Sequence, residues 1–385
     1  SSRRRHTRFR NVTGVQTCAL PIYPIITISV LLLSAIGVLL VYAATRDWFA
    51  ANNQDPEYYL KRQIVNVIIG LAFAYGATLI DYRLLRAYTP VLWGLGVIGL
   101  IAVLIPGLGS IVNGARSWIS LPGGFQFQPA ELAKITIIVG MALILAEREA
   151  GERGPSDRQV LYALGVAALP ILLIVLQPDL GTVLIISAAV ISIVAISGAR
   201  LRWVIALLVT GITGAYLAVA SGAVSDYQLN RLRSFIDPFA DPQATGYQLR
   251  QARITIGSGG FLGKGLFDGP QTNGRFVPEQ QTDFIFTVSG EELGFLGSAI
   301  ILILYGLILL RGLSIAKRTN DLFGRLVTAG VVAWFAFQIF QNIGMTMGLM
   351  PMTGVPLPFL SYGGSSMFAN MIAVGLLQNV YQRSK

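Results

Sequence analysis

Two stretches of this sequence place charged side chains where a polar segment turns into an apolar one. The first is RFVPEQQTDFIFTVSGEELGFLG, residues 275–297. Its polar run ends at Gln280-Gln281-Thr282-Asp283. The apolar run Phe284-Ile285-Phe286-Thr287-Val288 follows at once, with Glu291 and Glu292 further along what reads as the same helix. An ionisable group inside or at the edge of a bilayer is costly enough to mark a functional site. Thr282 and Asp283 also suit the positive N-terminal end of a helix as plain caps. On this pattern alone, cap and catalyst are equally open for Asp283. The second stretch is NGARSWISLPGGFQFQPAELAK, residues 113–134. Trp118 suits a membrane interface and Pro129 the first turn of a helix. Glu131 and Lys134 then stand at i and i+3 on one face. That pair is either a neutralised structural pair or part of a polar cavity, and nearby Arg116 and Gln128 favour the cavity. Asp179, in Gln177-Pro178-Asp179-Leu180-Gly181, precedes a helix and reads most simply as an N-cap, a supporting residue.

The side chains available for chemistry are restricted. The chain holds one His and one Cys, His6 and Cys18, both within SSRRRHTRFRNVTGVQTCALPI at residues 1–22. That segment has five Arg within ten residues and no helical or strand period. It resembles appended sequence and is set apart from a single domain at 23–385; a short basic cytoplasmic tail is the other reading. Past residue 22 there is no imidazole and no thiol. That removes Ser-His-Asp chemistry, Cys nucleophiles, disulfides and His/Cys metal sites. Acid–base work falls to carboxylates, Lys or Tyr.

The elements that must position these groups are membrane helices. The 385 residues are 54% hydrophobic and 12% charged, against roughly a quarter charged in soluble domains. A spanning helix needs roughly 20 mostly apolar residues. The sequence offers ten such runs, at about 24–44, 63–80, 87–106, 129–147, 160–176, 180–198, 203–221, 284–310, 324–347 and 366–381. This predicts an all-α polytopic fold of ten spans. Lys and Arg collect in alternate loops, among them Arg83, Arg86, Arg148, Arg153, Arg158, Arg200, Arg202, Lys317, Arg318 and Lys385. The positive-inside rule then puts both termini in the cytoplasm. The net charge of +10 is scattered through loops and forms no stripe, which argues against nucleic acid.

The long loop 222–283 breaks the charge rule, with Arg231, Arg233, Arg250, Arg253, Lys264 and Arg275 on the outer side. Long loops translocate whatever their charge. Alternatively, a basic outer surface faces an anionic, lipid-linked ligand. Gly257-Ser258-Gly259-Gly260 and Gly263-Lys264-Gly265 could form backbone nests for phosphate, although the P-loop spacing is absent. The last outer loop, GLMPMTGVPLPFLSYGGSS at 348–366, has too many prolines and glycines for regular helix. At membrane depth such backbone must be buried in protein or line a cavity.

Four motifs occur in order: PAELAK at 129–134, QPDLGT at 177–182, PEQQTDFIFTVSGEELG at 278–294, and Gly348-Leu349-Met350-Pro351 through Phe359-Leu360-Ser361-Tyr362-Gly363-Gly364-Ser365-Ser366, with Asn342 before it. Together they resemble the SEDS family (shape, elongation, division and sporulation; RodA, FtsW, SpoVE) over nearly everything after residue 22. IGSGGFLGKG at 256–265 and GVPLP at 354–358 look more like the elongation branch. The resemblance implies a peptidoglycan glycosyltransferase of the bacterial cytoplasmic membrane. Such an enzyme polymerises lipid II at the outer face, for elongation and cell shape, beside a class B penicillin-binding protein resembling PBP2. It implies Asp283 as the catalytic residue and Glu131 with Lys134 as an essential pair. Ser361, Tyr362, Gln128, Arg116 and Lys264 are expected around the substrate, with Trp118, Asp179, Glu291 and Glu292 in support. It also implies inversion by direct displacement, so one carboxylate base suffices and no nucleophile pair is needed. A divalent cation, Mg2+ or Mn2+, bridging the pyrophosphate is left open. So are a lipid II flippase and a division-type paralogue with the same chemistry.

Overall fold

The computed structural model describes residues 23–112, 115–121, 125–147, 154–222, 224–237 and 245–383. The readings of residues 1–22, Arg148, Arg153 and Lys385 fall outside these. In chain order the elements are α1 (Pro24–Ala51), α2 (Tyr58–Leu79), α3 (Tyr82–Leu104), β1 (Gly109–Val112), β2 (Ala115–Leu121), β3 (Phe125–Phe127), α4 (Pro129–Ala146), α5 (Asp157–Val175), α6 (Leu180–Ile196), α7 (Leu201–Ala220), α8 (Asp226–Ile236), α9 (Thr245–Ser258), α10 (Pro270–Asn273), α11 (Ile285–Glu292), α12 (Gly294–Arg318), α13 (Leu322–Met347) and α14 (Gly364–Arg383).

Each of the ten apolar runs is helical, but eight helices among the described residues are long and apolar enough to cross a membrane: α1 to α5, α7, α12 and α13. Helix α6 is apolar but has 17 residues. Helix α14 is mostly buried against the bundle with polar side chains Ser365, Ser366, Asn370, Gln378 and Asn379 along it, so its hydropathy is diluted. Buried polar residues are tolerated there because protein, not lipid, surrounds them. Helix α13 runs through the centre and buries Trp334, Phe335, Gln338, Gln341 and Asn342. Helix α7 is the opposite case, with no buried residue.

Three expectations need correction. The run 284–310 is not one helix: α11 ends at Glu292 and α12 starts at Gly294, whose φ is +66°. The loop 222–283 is not a polar coil, since α8, α9 and α10 lie within it. The stretch before α4 folds into an antiparallel sheet, β1-β2-β3, with Val112 paired to Ala115 and Ile119 to Phe127. Asn113-Gly114 is the two-residue hairpin signal in the sequence, easily passed over in a search for membrane spans.

The irregular segment 348–363 behaves as its prolines and glycines require. Its carbonyls are met by side chains of the surrounding helices. Gln338 Nε2 donates to Pro356 O at 2.7 Å, Gln341 Nε2 to Pro351 O at 3.0 Å, Asn342 Nδ2 to Val355 O at 2.7 Å, and Tyr305 Oη to Pro358 O at 2.5 Å. Gln338, Gln341 and Asn342 are spaced i, i+3, i+4 and so share one face of α13. Non-helical backbone survives inside the bundle because that face supplies the donors that water would otherwise provide.

Candidate active site

Asp283 stands on the turn that leads into α11. Its backbone N–H donates to Glu279 O at 3.1 Å, and its carbonyl accepts from Asn342 Nδ2 at 2.8 Å. The same Asn342 amide holds Val355 O, so α13 clamps the Asp283 turn and the irregular segment together. Across them, Tyr362 N–H donates to Gln281 O at 2.8 Å. A Cβ placed on Gly354, whose φ is +70°, would sit 3.1 Å from Asp283 Oδ2 and 3.8 Å from both terminal nitrogens of Arg231. Glycine at 354 therefore lets the carboxylate and the guanidinium face the same backbone position. Arg275, Glu279 and Phe359 also take left-handed backbone conformations. Such strained non-glycine residues gather where a site is over-determined by its surroundings.

The Asp283 carboxyl is partly buried. Loss of water around it raises its pKa to about 6, Arg231 opposes the rise, and Glu279 and Asp179 add to it. A carboxyl near 6 is a stronger base than a free Asp and is still mostly ionised at neutral pH. Asp283 makes no cap bond to α11, whose N-cap is Phe284 with no side-chain hydrogen bond. The capping alternative therefore has no support. Asp179 does cap α6, accepting from Thr182 N at 3.0 Å and Thr182 Oγ1 at 2.8 Å. It also accepts from Gln128 Nε2 at 3.0 Å. Gln128, Asp179 and Asp283 thus form a connected neighbourhood to which α8 adds Arg231, a residue absent from the expected site. It stands 52 positions before Asp283 in the sequence, and no local pattern links the two.

One turn into α4 from Gln128, Lys134 Nζ pairs with Glu131 Oε2 at 2.9 Å, with side chains 1% and 3% exposed. Lys134 also donates to Gln338 Oε1 at 3.3 Å and lies 4.6 Å from the Trp334 ring centroid. Gln338 in turn holds Pro356 O. The pair is closed from solvent and reaches the site through Gln338 and the irregular segment. Ser361 is likewise committed within the protein: its Oγ accepts from Leu357 N at 2.8 Å and its carbonyl accepts from Gln63 Nε2 at 3.2 Å. Tyr362 is partly buried and packs edge-on to Tyr59 at 4.6 Å.

The remaining expected residues lie elsewhere. Glu291 is fully buried, and its carboxylate accepts from Gln271 N, Thr272 N, Thr272 Oγ1 and Ser258 Oγ. Glu292 is buried beside it. Lys264 is exposed at this same end, its N–H donating to Glu291 O at 2.9 Å. The eight residues of α11, at 1.5 Å per residue, separate that end from Asp283 by about 12 Å. The glycine-rich run is not a phosphate nest. Its N–H groups at Lys264 and Gly265 serve the carbonyls of Glu291 and Glu292. A Cβ on Gly263, φ +85°, would lie 2.1 Å from Glu292 O. These glycines allow backbone to touch backbone at the α11–α12 break. Arg116 lies on β2, partly buried, with Nη1 3.5 Å from Leu104 O; Trp118 is on the same strand. Among the described residues no three acidic, His or Cys side chains come together as a metal-ligand set. The cation beside Asp283 is Arg231.

The fold and site define an α-helical multi-pass membrane protein with a tuned carboxylate at a loop–helix junction. The FtsW/RodA/SpoVE family model, described as a cell cycle protein, matches residues 24–385, and the chain belongs to that family. It is 37% identical to stage V sporulation protein E of Bacillus subtilis over 94% of this chain and 97% of that one. It is likewise 37% identical to a probable peptidoglycan glycosyltransferase FtsW of Geobacter metallireducens over 94% and 95%. Among solved structures, Thermus thermophilus rod shape determining protein RodA aligns with TM-score 0.69 at 30% identity, covering 95% of this chain and 98% of that one. A chain from a peptidoglycan synthase complex that coordinates polymerization and crosslinking aligns with TM-score 0.76 at 29%, covering 95% and 100%. A sporulation protein, FtsW-named proteins and a rod shape determining protein all appear, so these likenesses do not set the elongation branch apart.

Proposed function

We propose that this chain is a peptidoglycan glycosyltransferase that polymerises lipid II at the outer face of the bacterial cytoplasmic membrane, with residues 23–385 acting as one membrane domain. The observation that carries the reading is Asp283, with a pKa of about 6, fixed by Asn342 and set beside Arg231. In the reaction an acceptor sugar hydroxyl attacks the anomeric carbon of a lipid-linked donor. The hydroxyl proton passes to Asp283, the carbon–pyrophosphate bond breaks, and undecaprenyl pyrophosphate departs with the bonding electron pair. Pyrophosphate is a good leaving group, so a second carboxyl acting as acid is unnecessary. Arg231 is the cation placed to meet its charge. Asp179 and Gln128 border the same space. Glu131 and Lys134 act from below as positioning residues: through Gln338 they fix the segment that carries Gly354 and Tyr362.

The kinship with FtsW-named glycosyltransferases and with a chain of a polymerising and crosslinking complex supports this reading. It also supports a crosslinking transpeptidase, of the class B penicillin-binding type, as partner. The test uses purified chain, fluorescent lipid II and a transpeptidase partner added or withheld. Polymer bands are expected from wild type. Lipid II crossing a vesicle bilayer without polymer would instead establish a flippase.

A further inference from the structure

Helix α9 packs against the turn that carries Asp283, and the reaction above gives it no role. Its residues Leu249, Ala252, Arg253 and Ile256 are spaced i, i+3, i+4, i+7 and so share one face. Leu249 and Ala252 are buried in a small apolar cluster with Val277, Phe284 and Met352, apart from the main core. Phe284 follows Asp283 directly, and Met352 comes two residues before Gly354, the glycine that faces the Asp283 carboxylate. One turn further along α9, Ile256 lies where a Cβ on Gly290 of α11 would meet it at 3.1 Å. The same face of α9 therefore supports the Asp283 turn, α11 and the irregular segment.

Arg253 extends this face to α13. Its Nε donates to Met347 O at 3.2 Å and its Nη2 to Gly348 O at 3.3 Å. The last carbonyls of a helix lack partners within it, and a cation suits that negative end. Gly348 is the left-handed C-cap of α13, with φ +75°. The guanidinium lies so close over it that a Cβ there would collide with Arg253. From Gly348 the chain runs straight into the segment that carries Met352 and Gly354. Helix α8, the carrier of Arg231, also packs on α9, with its first turn pinned to Pro178 O by Gln228 Nε2 at 3.0 Å. Helix α9 is thus the shared support of two charged partners, Asp283 through Phe284 and Met352, and Arg231 through α8. The other charges acting on Asp283 are Glu279, from its own turn, and Asp179, from the cap of α6.

We infer that Arg253 is a positioning residue of the glycosyl transfer: by clamping α9 to the end of α13, it sets the register of Arg231 against Asp283. The inference rests on the reading of Asp283 as base with Arg231 beside it. An arginine that only capped α13 would add stability and leave the ionisation of Asp283 alone. One that sets the distance between Arg231 and Asp283 changes that ionisation when it is removed, because a nearby cation favours the carboxylate.

The experiment is a pH–rate series of polymerisation by the purified full chain at saturating lipid II, with melting temperature measured on the same samples. Arg253→Met keeps the length of the side chain and loses both donors. It is expected to lower polymerisation severalfold at neutral pH. It should also move the acidic limb to higher pH, in the direction of Arg231→Ala and by a smaller amount. Arg253→Lys keeps a charged donor and is expected to bring the limb most of the way back. Adding Arg253→Met to Arg231→Ala should move the limb no further, since the charge being positioned is gone. Should Arg253→Met misfold, Gly348→Asn breaks the same contact from the other side. Asn tolerates the left-handed C-cap, but its Cβ displaces the guanidinium, so the same shift is expected. A limb that moves in Arg231→Ala and stays put in whichever of these two variants folds would overturn the inference and leave Arg253 a helix cap. So would a further shift in the double variant. A limb unmoved by Arg231→Ala would remove the coupling of Arg231 to Asp283, and the inference with it.

Discussion

Helix α11 has carboxylates at both ends, and they are treated in opposite ways. At its start Asp283 is left partly open, short of hydrogen bonds, beside the Arg231 guanidinium. At its finish Glu291 is sealed from water and given two backbone N–H groups and two hydroxyls. A carboxylate satisfied in this way is tied to structure. One stripped of water with few partners stays reactive. Identity of side chain therefore says little about role here; the number of donors aimed at each carboxyl says much more.

The sharpest way to break that contrast is to remove the charge at each end. Asp283→Asn is expected to lower polymerisation by roughly 10²–10⁴, the usual share of general base catalysis, with melting temperature nearly unchanged. Glu291→Ala is expected to fail differently. It strands the buried donors of Gln271 and Thr272, each worth roughly 1–3 kcal/mol, and should show as a lowered melting temperature. Assaying both variants for polymer and for thermal unfolding decides the matter. Polymerisation by Asp283→Asn above about a tenth of wild type would contradict the base role.

The Glu131–Lys134 pair sharpens the comparison from below. Removing one partner of a buried pair costs roughly 3–5 kcal/mol, because the other charge is left uncompensated. Glu131→Gln and Lys134→Met singly should therefore destabilise the bundle, and the double variant should regain much of the loss. The double variant is still expected to polymerise poorly, since Lys134 no longer donates to the Gln338 carboxamide that holds Pro356. Melting curves and polymer gels on the three variants test this, and a double variant with wild-type activity would be inconsistent with a positioning role.

The pH profile of polymerisation is the probe of the open end. With Asp283 at about 6, polymerisation should be steady above neutrality and fall about tenfold per pH unit well below that value, as the base becomes protonated. Arg231 favours the ionised form, so Arg231→Ala should move the acidic limb to higher pH. Arg231→Lys should move it less. The same raised pKa has a stability consequence of fixed sign. Whatever stability the neutral carboxyl contributes is complete below the unfolded value of 3.8 and is lost as pH rises through about 6. A pH–rate series at saturating lipid II checks the catalytic part.

Local signals in the chain went far toward this picture. Ten apolar runs, the polar-to-apolar junction at Asp283, the cap at Asp179 and the proline-broken segment after α13 all follow from spacing and residue type. The unread parts depend on partners distant in sequence. Arg231 comes to Asp283 only because α8 packs across the site, and Asn342 only because α13 returns beside it. Glu291 looked like Asp283 because both are acids near an apolar run; what separates them is α10 and Ser258, which precede Glu291 by 19 to 33 positions. The glycine-rich run at 257–265 has the composition of an anion nest. Its N–H groups are taken by the carbonyls at the end of α11, a pairing that composition cannot reveal.

The smallest expected effect belongs to the closed end of α11 and concerns Lys264. As a cation between two glycines it invites a role on pyrophosphate. Its backbone is committed to Glu291 O, its side chain is exposed, and about 12 Å of helix, by rise per residue, lies between that anchor and Asp283. Lys264→Ala removes neither the backbone bond nor any buried contact, so stability should stay within about 0.5 kcal/mol of wild type. Polymerisation and lipid II retention at fixed ionic strength should also stay close to wild type, while Arg231→Ala loses both. Gly263→Ala, one residue earlier, should be far more damaging, because its Cβ would press into Glu292 O from a left-handed backbone. If Lys264→Ala instead weakened lipid II retention as much as Arg231→Ala, the two ends of α11 would share the ligand. The division between a reacting end and a structural end would then have to be redrawn.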